Sequence, residues 1–284
     1  MGRKATLAVT QHPSQKNMNE APPRLVLFFG SGRSGSTLLG QMLNYHPHCL
    51  IANEYKLLDR VLKGASLAGS LDELKTLAQS QYKTGLEADS RFKNAMSKYQ
   101  KRWKAMGPLS GEEAFRKKEI LVVGDKKAGK NSLLYQKDPE GVLALMDRME
   151  KEYGLYLIQL VRDPLRSARS YMKSHGYRFA EAYHRVVVDQ TATYELLEQK
   201  KDSCAVHRLF YEDLIEDPAR ELTVLLGWLG LERHEDWTNR IATVVDRSED
   251  QRPRRWKEYV LMLKEGWAYR HSPVFDRYDT PGRF

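Results

Sequence analysis

An α/β fold, a parallel sheet flanked by helices, is what the 284-residue sequence predicts. Two observations carry that expectation. Short, continuous apolar runs recur, each of a length suited to a strand buried on both faces. Between them lie longer segments with helical apolar periodicity, and this alternation builds a doubly wound sheet. Hydrophobic residues make up 41% of the chain. That suffices for the core of one domain, or of one domain with an insertion.

Residues 1–23 are polar, carry Pro13, Pro22 and Pro23, and read as a flexible tail. The domain proper spans 24–284. Leu25–Phe29 is the first strand, and the glycine-rich "GSGRSGSTLL" follows it. Thr37–Leu43 is the first helix, ended by His46-Pro47-His48. Cys49–Ala52 is a second strand that closes near Asn53 and Glu54. Residues 55–118 are rich in lysine and helix formers, with breaks at Gly107-Pro108 and Gly111. They read as a mostly helical insertion; ordinary crossover helices on the sheet are the alternative.

"EILVVGDKK" (119–127) is the next strand, and Pro139–Tyr153 is a helix with Val142, Leu145, Met146 and Met149 on one face. "LYLIQLVRDP" (155–164) is another parallel-type strand. Asp163 can cap the helix that follows, and Pro164 suits its first position. A long helix covers 178–200. "AVHRLFYEDL" (205–214) is a strand running into a loop, and 217–231 is a helix. The tail from 246 is basic and then irregular.

The formal charge is +9, from 46 Lys+Arg against 37 Asp+Glu. That balance suits an anionic partner: a nucleotide, a nucleic acid, an acidic glycan or a membrane surface. Two cysteines, Cys49 and Cys204, make no disulfide framework and stand in no metal-type cluster, so buried thiols in a reducing compartment are expected. No segment approaches the ~20 apolar residues of a membrane span. A soluble, cytoplasmic protein without stable membrane insertion is the expectation. No feature sets an oligomeric state.

"GSGRSGSTLL" has the build of a phosphate-binding loop. Glycines let backbone N–H groups turn inward onto an anion, and the helix starting near Ser36 adds its positive end. Gly30 and Gly35 have the G-x4-G spacing of a Walker loop, but Ser36-Thr37 stand where Lys-Ser/Thr is required. The loop's cation is Arg33 instead. A mononucleotide kinase needs that lysine on its phosphates, and a metal held partly by a strand-end Asp. Asp125 could imitate the Asp; the missing lysine speaks against a kinase. Transfer of a less charged group from a phosphate, such as sulfuryl transfer, needs less neutralisation and no metal.

"LVRDPLRSARSYMKS" puts Arg162 at a strand end and Ser170 eight residues on, along the next helix. The two can converge on one anion at the carboxyl edge of the sheet. Carrying this motif together with the glycine-rich loop, the sequence resembles the sulfotransferases that use 3′-phosphoadenosine 5′-phosphosulfate (PAPS). "FFGSGRSGSTLLGQML", "GLYLIQLVRDPLRSARSYM" and "LFYEDLIEDPARELTVLLGWLGL" carry the resemblance across residues 26–231.

The resemblance implies a P-loop-like sulfotransferase fold, with the helical insertion 55–118 on the acceptor side. It implies a 5′-phosphosulfate site made by Gly32, Arg33, Ser34, Gly35, Ser36 and Thr37. Arg33 would hold the bridging oxygen and the sulfonate. Arg162 and Ser170 match the site for the 3′-phosphate, and Tyr211 stands where the family commonly places an aromatic near the adenine. The product would be adenosine 3′,5′-bisphosphate, with no metal in the reaction.

Cytosolic small-molecule members of the family carry a histidine base on the strand before the 3′-phosphate site. "VVGDKKAGKN" departs from them, having none. Tyrosylprotein and some bacterial sulfotransferases use a glutamate just after the second strand. Glu54, 21 residues beyond Arg33, matches that spacing and is the expected base. Lys126 in "GDKK" matches the lysine placed on the sulfonate; Lys56 is a weaker candidate nearby. His46, His48 and His175 are rival bases. The basic run Arg252, Arg254, Arg255 and Lys257 covers either the 3′-phosphate or nothing but solvent. The acceptor expected is a small metabolite or natural product, with a hydroxyl or amine to sulfate. The rival reading is a non-catalytic nucleotide- or nucleic-acid-binding protein on the same loop, for which no RNP-like motif or aromatic-interleaved basic patch speaks.

Overall fold

The computed structural model describes residues 22–84, 119–233, 238–239, 241 and 272–278. Five strands, β1 (Arg24–Phe29), β2 (Cys49–Asn53), β3 (Val122–Lys126), β4 (Leu155–Val161) and β5 (Ala205–Phe210), form one parallel sheet in the order β2-β3-β1-β4-β5. The expected α/β fold is the one observed.

Both faces are covered, as the unbroken apolar runs require. Leu25, Leu27 and Phe29 of β1 point to a face closed by α2 (Leu57–Leu62), α3 (Leu67–Thr84) and α5 (Pro139–Tyr153). Val26 and Phe28 point the other way, against α1 (Ser36–Tyr45) and α9 (Pro218–Trp228). Helices α2 and α3 belong to the segment 55–118. Leu57, Leu58, Leu67, Leu71 and Leu74 pack them on the sheet in the manner of crossover helices. Residues 85–118 lie outside the described residues.

Helix starts follow their chemistry. Three Asp-Pro steps open α5, α6 (Pro164–His175) and α9. In each the aspartate accepts a hydrogen bond from a backbone N–H of the first turn. These are donors the helix itself cannot satisfy. Two short helices were not anticipated from the sequence. One is α4 (Ala128–Lys137), directly after β3; the other is α8 (Tyr211–Glu216), where the sequence suggested a loop. Helix α7 (Phe179–Lys200) matches the long helix expected over 178–200. Cys49 and Cys204 are buried thiols, as expected. Among the described residues, no helix is long and apolar enough to cross a membrane.

The order places β1 centrally. The chain leaves β1 for β2 on one side, and after β3 it reaches β4 on the other. A crevice at the carboxyl ends of β1, β3 and β4 is where ligands sit in sheets of this kind.

Candidate active site

Two clusters of polar side chains stand at that edge. The first is built around the turn from β2 into α2. The register sets Asn53 beside Lys126, and the Glu54 N–H donates to the Lys126 carbonyl at 3.1 Å. Glu54 therefore leaves the sheet next to the end of β3. Its backbone is left-handed, with φ 64°, and so is that of Lys56, with φ 67°.

Lys126 Nζ donates to Glu54 Oε1 at 3.3 Å and to Thr37 Oγ1, on α1, at 3.0 Å. Lys127 Nζ donates to Glu54 Oε2. One carboxylate is thus clasped by two ammonium groups, one of which also touches the glycine-rich loop's helix. The Lys126 side chain is 6% exposed and that of Glu54 24%. Burial pushes the Glu54 carboxyl up, but Lys126 and Lys127 together outweigh it and hold it below the ordinary 4.5. Burial pulls the Lys126 ammonium below its ordinary value, with Glu54 opposing the shift.

The second cluster joins the loop to α6. Arg33 Nε donates to Ser170 Oγ at 2.9 Å, and Arg162 Nη1 donates to the Arg33 carbonyl at 3.3 Å. The Arg162 guanidinium lies 4.3 Å from the centre of the Tyr211 ring, a cation–π contact. Tyr211 opens α8 rather than ending β5, so its ring lies against the loop. A Cβ on Gly35 would run into that ring, and one on Gly32 into the Tyr171 hydroxyl. Gly35 also has φ 99°, which side chains other than glycine's rarely adopt. The loop has room for backbone and little else.

The loop is arranged to receive an anion. No side chain caps the N-terminus of α1, which starts at Ser36. Ser34 Oγ is fully buried and has no hydrogen-bond partner among the described residues. An unsatisfied buried hydroxyl, uncapped N–H groups and the cations of Arg33, Lys126 and Arg162 suit an anionic group. The loop is held from behind by Ser132 of α4, whose Oγ accepts from the Gly30 N–H at 3.0 Å. Gln190 of α7 supports it too, donating to the Leu160 carbonyl at 2.9 Å and to Ser31 Oγ at 3.3 Å.

All the expected site residues within the described segments therefore lie along one edge: Gly32, Arg33, Ser34, Gly35, Ser36, Thr37, Glu54, Lys126, Arg162, Ser170 and Tyr211. Lys127 has no signal in "GDKK"; the β2–β3 register sets Lys126 beside the turn, and Lys127, at the start of α4, reaches the same carboxylate. The rival bases sit elsewhere. His46 is fully buried near the Glu232 carbonyl, and His48 Nδ1 lies 2.7 Å from the Glu119 carbonyl. Both precede β2, at the amino end of the sheet. His175, at the end of α6, stacks on Tyr177. Arg252, Arg254, Arg255 and Lys257 lie outside the described residues. Among the described residues, no group of His, Cys, Asp or Glu is arranged to hold a metal ion.

Several solved structures are similar to the chain. A sulfotransferase domain from the Synechococcus PCC 7002 olefin synthase is 18% identical, with 90% of this chain and 99% of that one covered and a TM-score of 0.46. Sulfotransferase STF9 from Mycobacterium avium is 14% identical, with 90% and 76% covered and a TM-score of 0.44. Mouse sulfotransferase SULT7A1 complexed with PAP is 12% identical, with 81% and 68% covered and a TM-score of 0.42. No curated protein matches the chain. The sequence itself is more decisive: the model of the sulfotransferase family matches residues 26–236, from the first strand through the whole sheet. Loop, strand-end arginine and helix serine all fall within that match, and the chain belongs to the sulfotransferase family.

Proposed function

We propose that the protein transfers the sulfuryl group of PAPS to a hydroxyl or amine of a small-molecule acceptor, with Glu54 as base. The observation that carries the reading is Lys126. Its ammonium touches both Thr37, on the phosphate loop's helix, and Glu54, so a cation stands between the donor loop and a carboxylate held anionic.

The chemistry follows from these positions. The acceptor oxygen or nitrogen attacks sulfur in line, and Glu54 takes the proton it loses. The bond from sulfur to the bridging oxygen of the 5′-phosphate breaks, and its electron pair stays with adenosine 3′,5′-bisphosphate. Charge grows on that oxygen and spreads over the sulfonate. Arg33, Lys126, Ser34 and the N-terminus of α1 are fixed donors on that side. Arg162 and Ser170 take the 3′-phosphate, and Tyr211 the adenine. A small metabolite or natural product in the cytoplasm is the acceptor proposed.

The test is a transfer assay with radiolabelled PAPS and an extract of the host, followed by mass analysis of the labelled product. Label in a new product, matched by bisphosphate release, is expected. Tight bisphosphate binding with no label transferred would instead favour the non-catalytic nucleotide-binding reading. A kinase reading loses its metal-holding Asp, because both Asp125 oxygens accept from backbone N–H groups of the turn after β2. Within the same assay, Ser170→Ala is expected to raise the KM for PAPS about tenfold, the cost of one hydrogen bond to a charged group. Unchanged donor affinity would mean that the second anion site lies elsewhere.

A further inference from the structure

Asp125 is conspicuous once a kinase role is set aside. It is fully buried at the end of β3, one residue before Lys126. Oδ1 accepts from the Tyr55 N–H at 3.0 Å, and Oδ2 from the Leu57 N–H at 2.7 Å; the Lys56 N–H also faces it. Those three donors span the turn that follows Glu54. Two of the turn's residues, Glu54 and Lys56, hold the left-handed conformation that side chains other than glycine's adopt at a cost. Local support is limited to Arg60, whose Nε donates to the Tyr55 carbonyl at 3.2 Å; Lys56, at the start of α2, is exposed and caps nothing with its own side chain. The N–H groups inside the turn are gathered by one buried carboxylate reaching across from the neighbouring strand.

We infer that Asp125 is a positioning residue for the reaction: by gathering the N–H groups of residues 55–57 it fixes the left-handed turn that presents Glu54 to Lys126 and Lys127. This rests on Glu54 being the base. The register explains why β3 supplies the clamp. Asp125 pairs with Ala52, two residues before Glu54, so its side chain lies under the start of the turn. The strand that carries Lys126 to the sulfonate thereby also sets where the base stands. Burial pushes the Asp125 carboxyl up to about 6, while the backbone donors favour its anion.

The test measures label transfer from PAPS into the extract fraction that accepts it, and bisphosphate affinity by calorimetry. Asp125→Asn keeps the shape but turns an NH2 group toward a backbone N–H. It is expected to lower kcat about 10- to 100-fold, with bisphosphate affinity within about twofold, the signature of a misplaced group. Amide hydrogen exchange at Tyr55 and Leu57 should accelerate. Adding Asp125→Asn to Glu54→Gln should cost little more, since both act through one carboxylate. Lys56→Gly should return part of the rate to Asp125→Asn, because glycine takes φ 67° freely. A charge lost beside Lys126 would not be restored in that way.

If Asp125→Asn does not fold, Lys56→Pro carries the test from the exposed side. It forbids the left-handed turn and should lose kcat to the same degree. Wild-type kcat in Asp125→Asn or Lys56→Pro, with Glu54→Gln slow, overturns the inference and leaves the base standing. Additive losses in the double variant overturn it as well. Wild-type turnover by Glu54→Gln removes the base, and this inference with it.

Discussion

Glu54→Gln is expected to lower kcat about a hundredfold or more, the usual worth of a positioned general base, while adenosine 3′,5′-bisphosphate binds nearly as before. The substitution is close to isosteric, and the left-handed turn can stay, because its clamp is Asp125 and not the Glu54 side chain. The amide oxygen can still accept from Lys126 or Lys127. What is lost is a proton acceptor. Nucleotide contacts assigned to the loop and to α6 are untouched, so the bisphosphate reports folding while turnover reports chemistry.

The pH profile separates this from a packing effect. The Glu54 pKa is held below 4.5 by its lysines, so the base is fully anionic at neutral pH. Its contribution to rate, and to stability through the ion pairs, is present above the ordinary value and lost as pH falls through the folded one. The acid limb of the wild-type profile should therefore lie below about 4.5. Lys126 works in the opposite sense: burial lowers its pKa and Glu54 raises it. Removing the Glu54 charge should move the alkaline limb to lower pH, since the buried ammonium loses its partner. Wild-type turnover by Glu54→Gln would strike Glu54 from the mechanism.

Much of this site could be read from the chain, for identifiable reasons. Phosphate loops and Asp-Pro helix starts are local: Gly35, Ser36 and Thr37 do their work within a few residues, and Asp163 caps a helix two residues away. Glu54 was reachable only through its spacing in a related family, since a lone carboxylate after a strand says nothing by itself. In "GDKK" Lys127 carries no signal, and Asp125 suggests only a kinase-type metal ligand. Their roles depend on β2 lying beside β3, and strand order follows from the packing of whole layers. "AVHRLFYEDL" reads as a strand running into a loop because "LFY" is apolar up to the turn; the chain instead enters a helix, α8, at Tyr211. Neither α4 nor the supports given to the loop by Ser132 and Gln190 has a signal in the sequence, because each bond joins residues far apart in the chain.

Arg33→Ala is expected to lower kcat about a hundredfold, equivalent to roughly 2.7–4 kcal/mol for a donor aimed at developing charge. The geometry makes the outcome informative. Arg33 is the only cation within the glycine-rich loop, standing where the backbone takes φ 64° just before the start of α1. Its Nε is engaged by Ser170 Oγ, which belongs to the site assigned to the other end of the nucleotide. The guanidinium has further N–H groups, so one arginine can touch that serine and still reach the sulfonate side. If stabilising the leaving oxygen is its main work, kcat falls and the KM for PAPS rises only slightly. If holding Ser170 is its main work, the loss appears in KM and is matched by Ser170→Ala. Arg33→Lys then decides the remaining point. Lysine keeps the charge but lacks the fork, and it should recover the kcat lost to a missing charge without recovering a KM lost to a missing hydrogen bond to Ser170. A kcat unchanged in Arg33→Ala would move the stabilising charge from the loop to Lys126 alone.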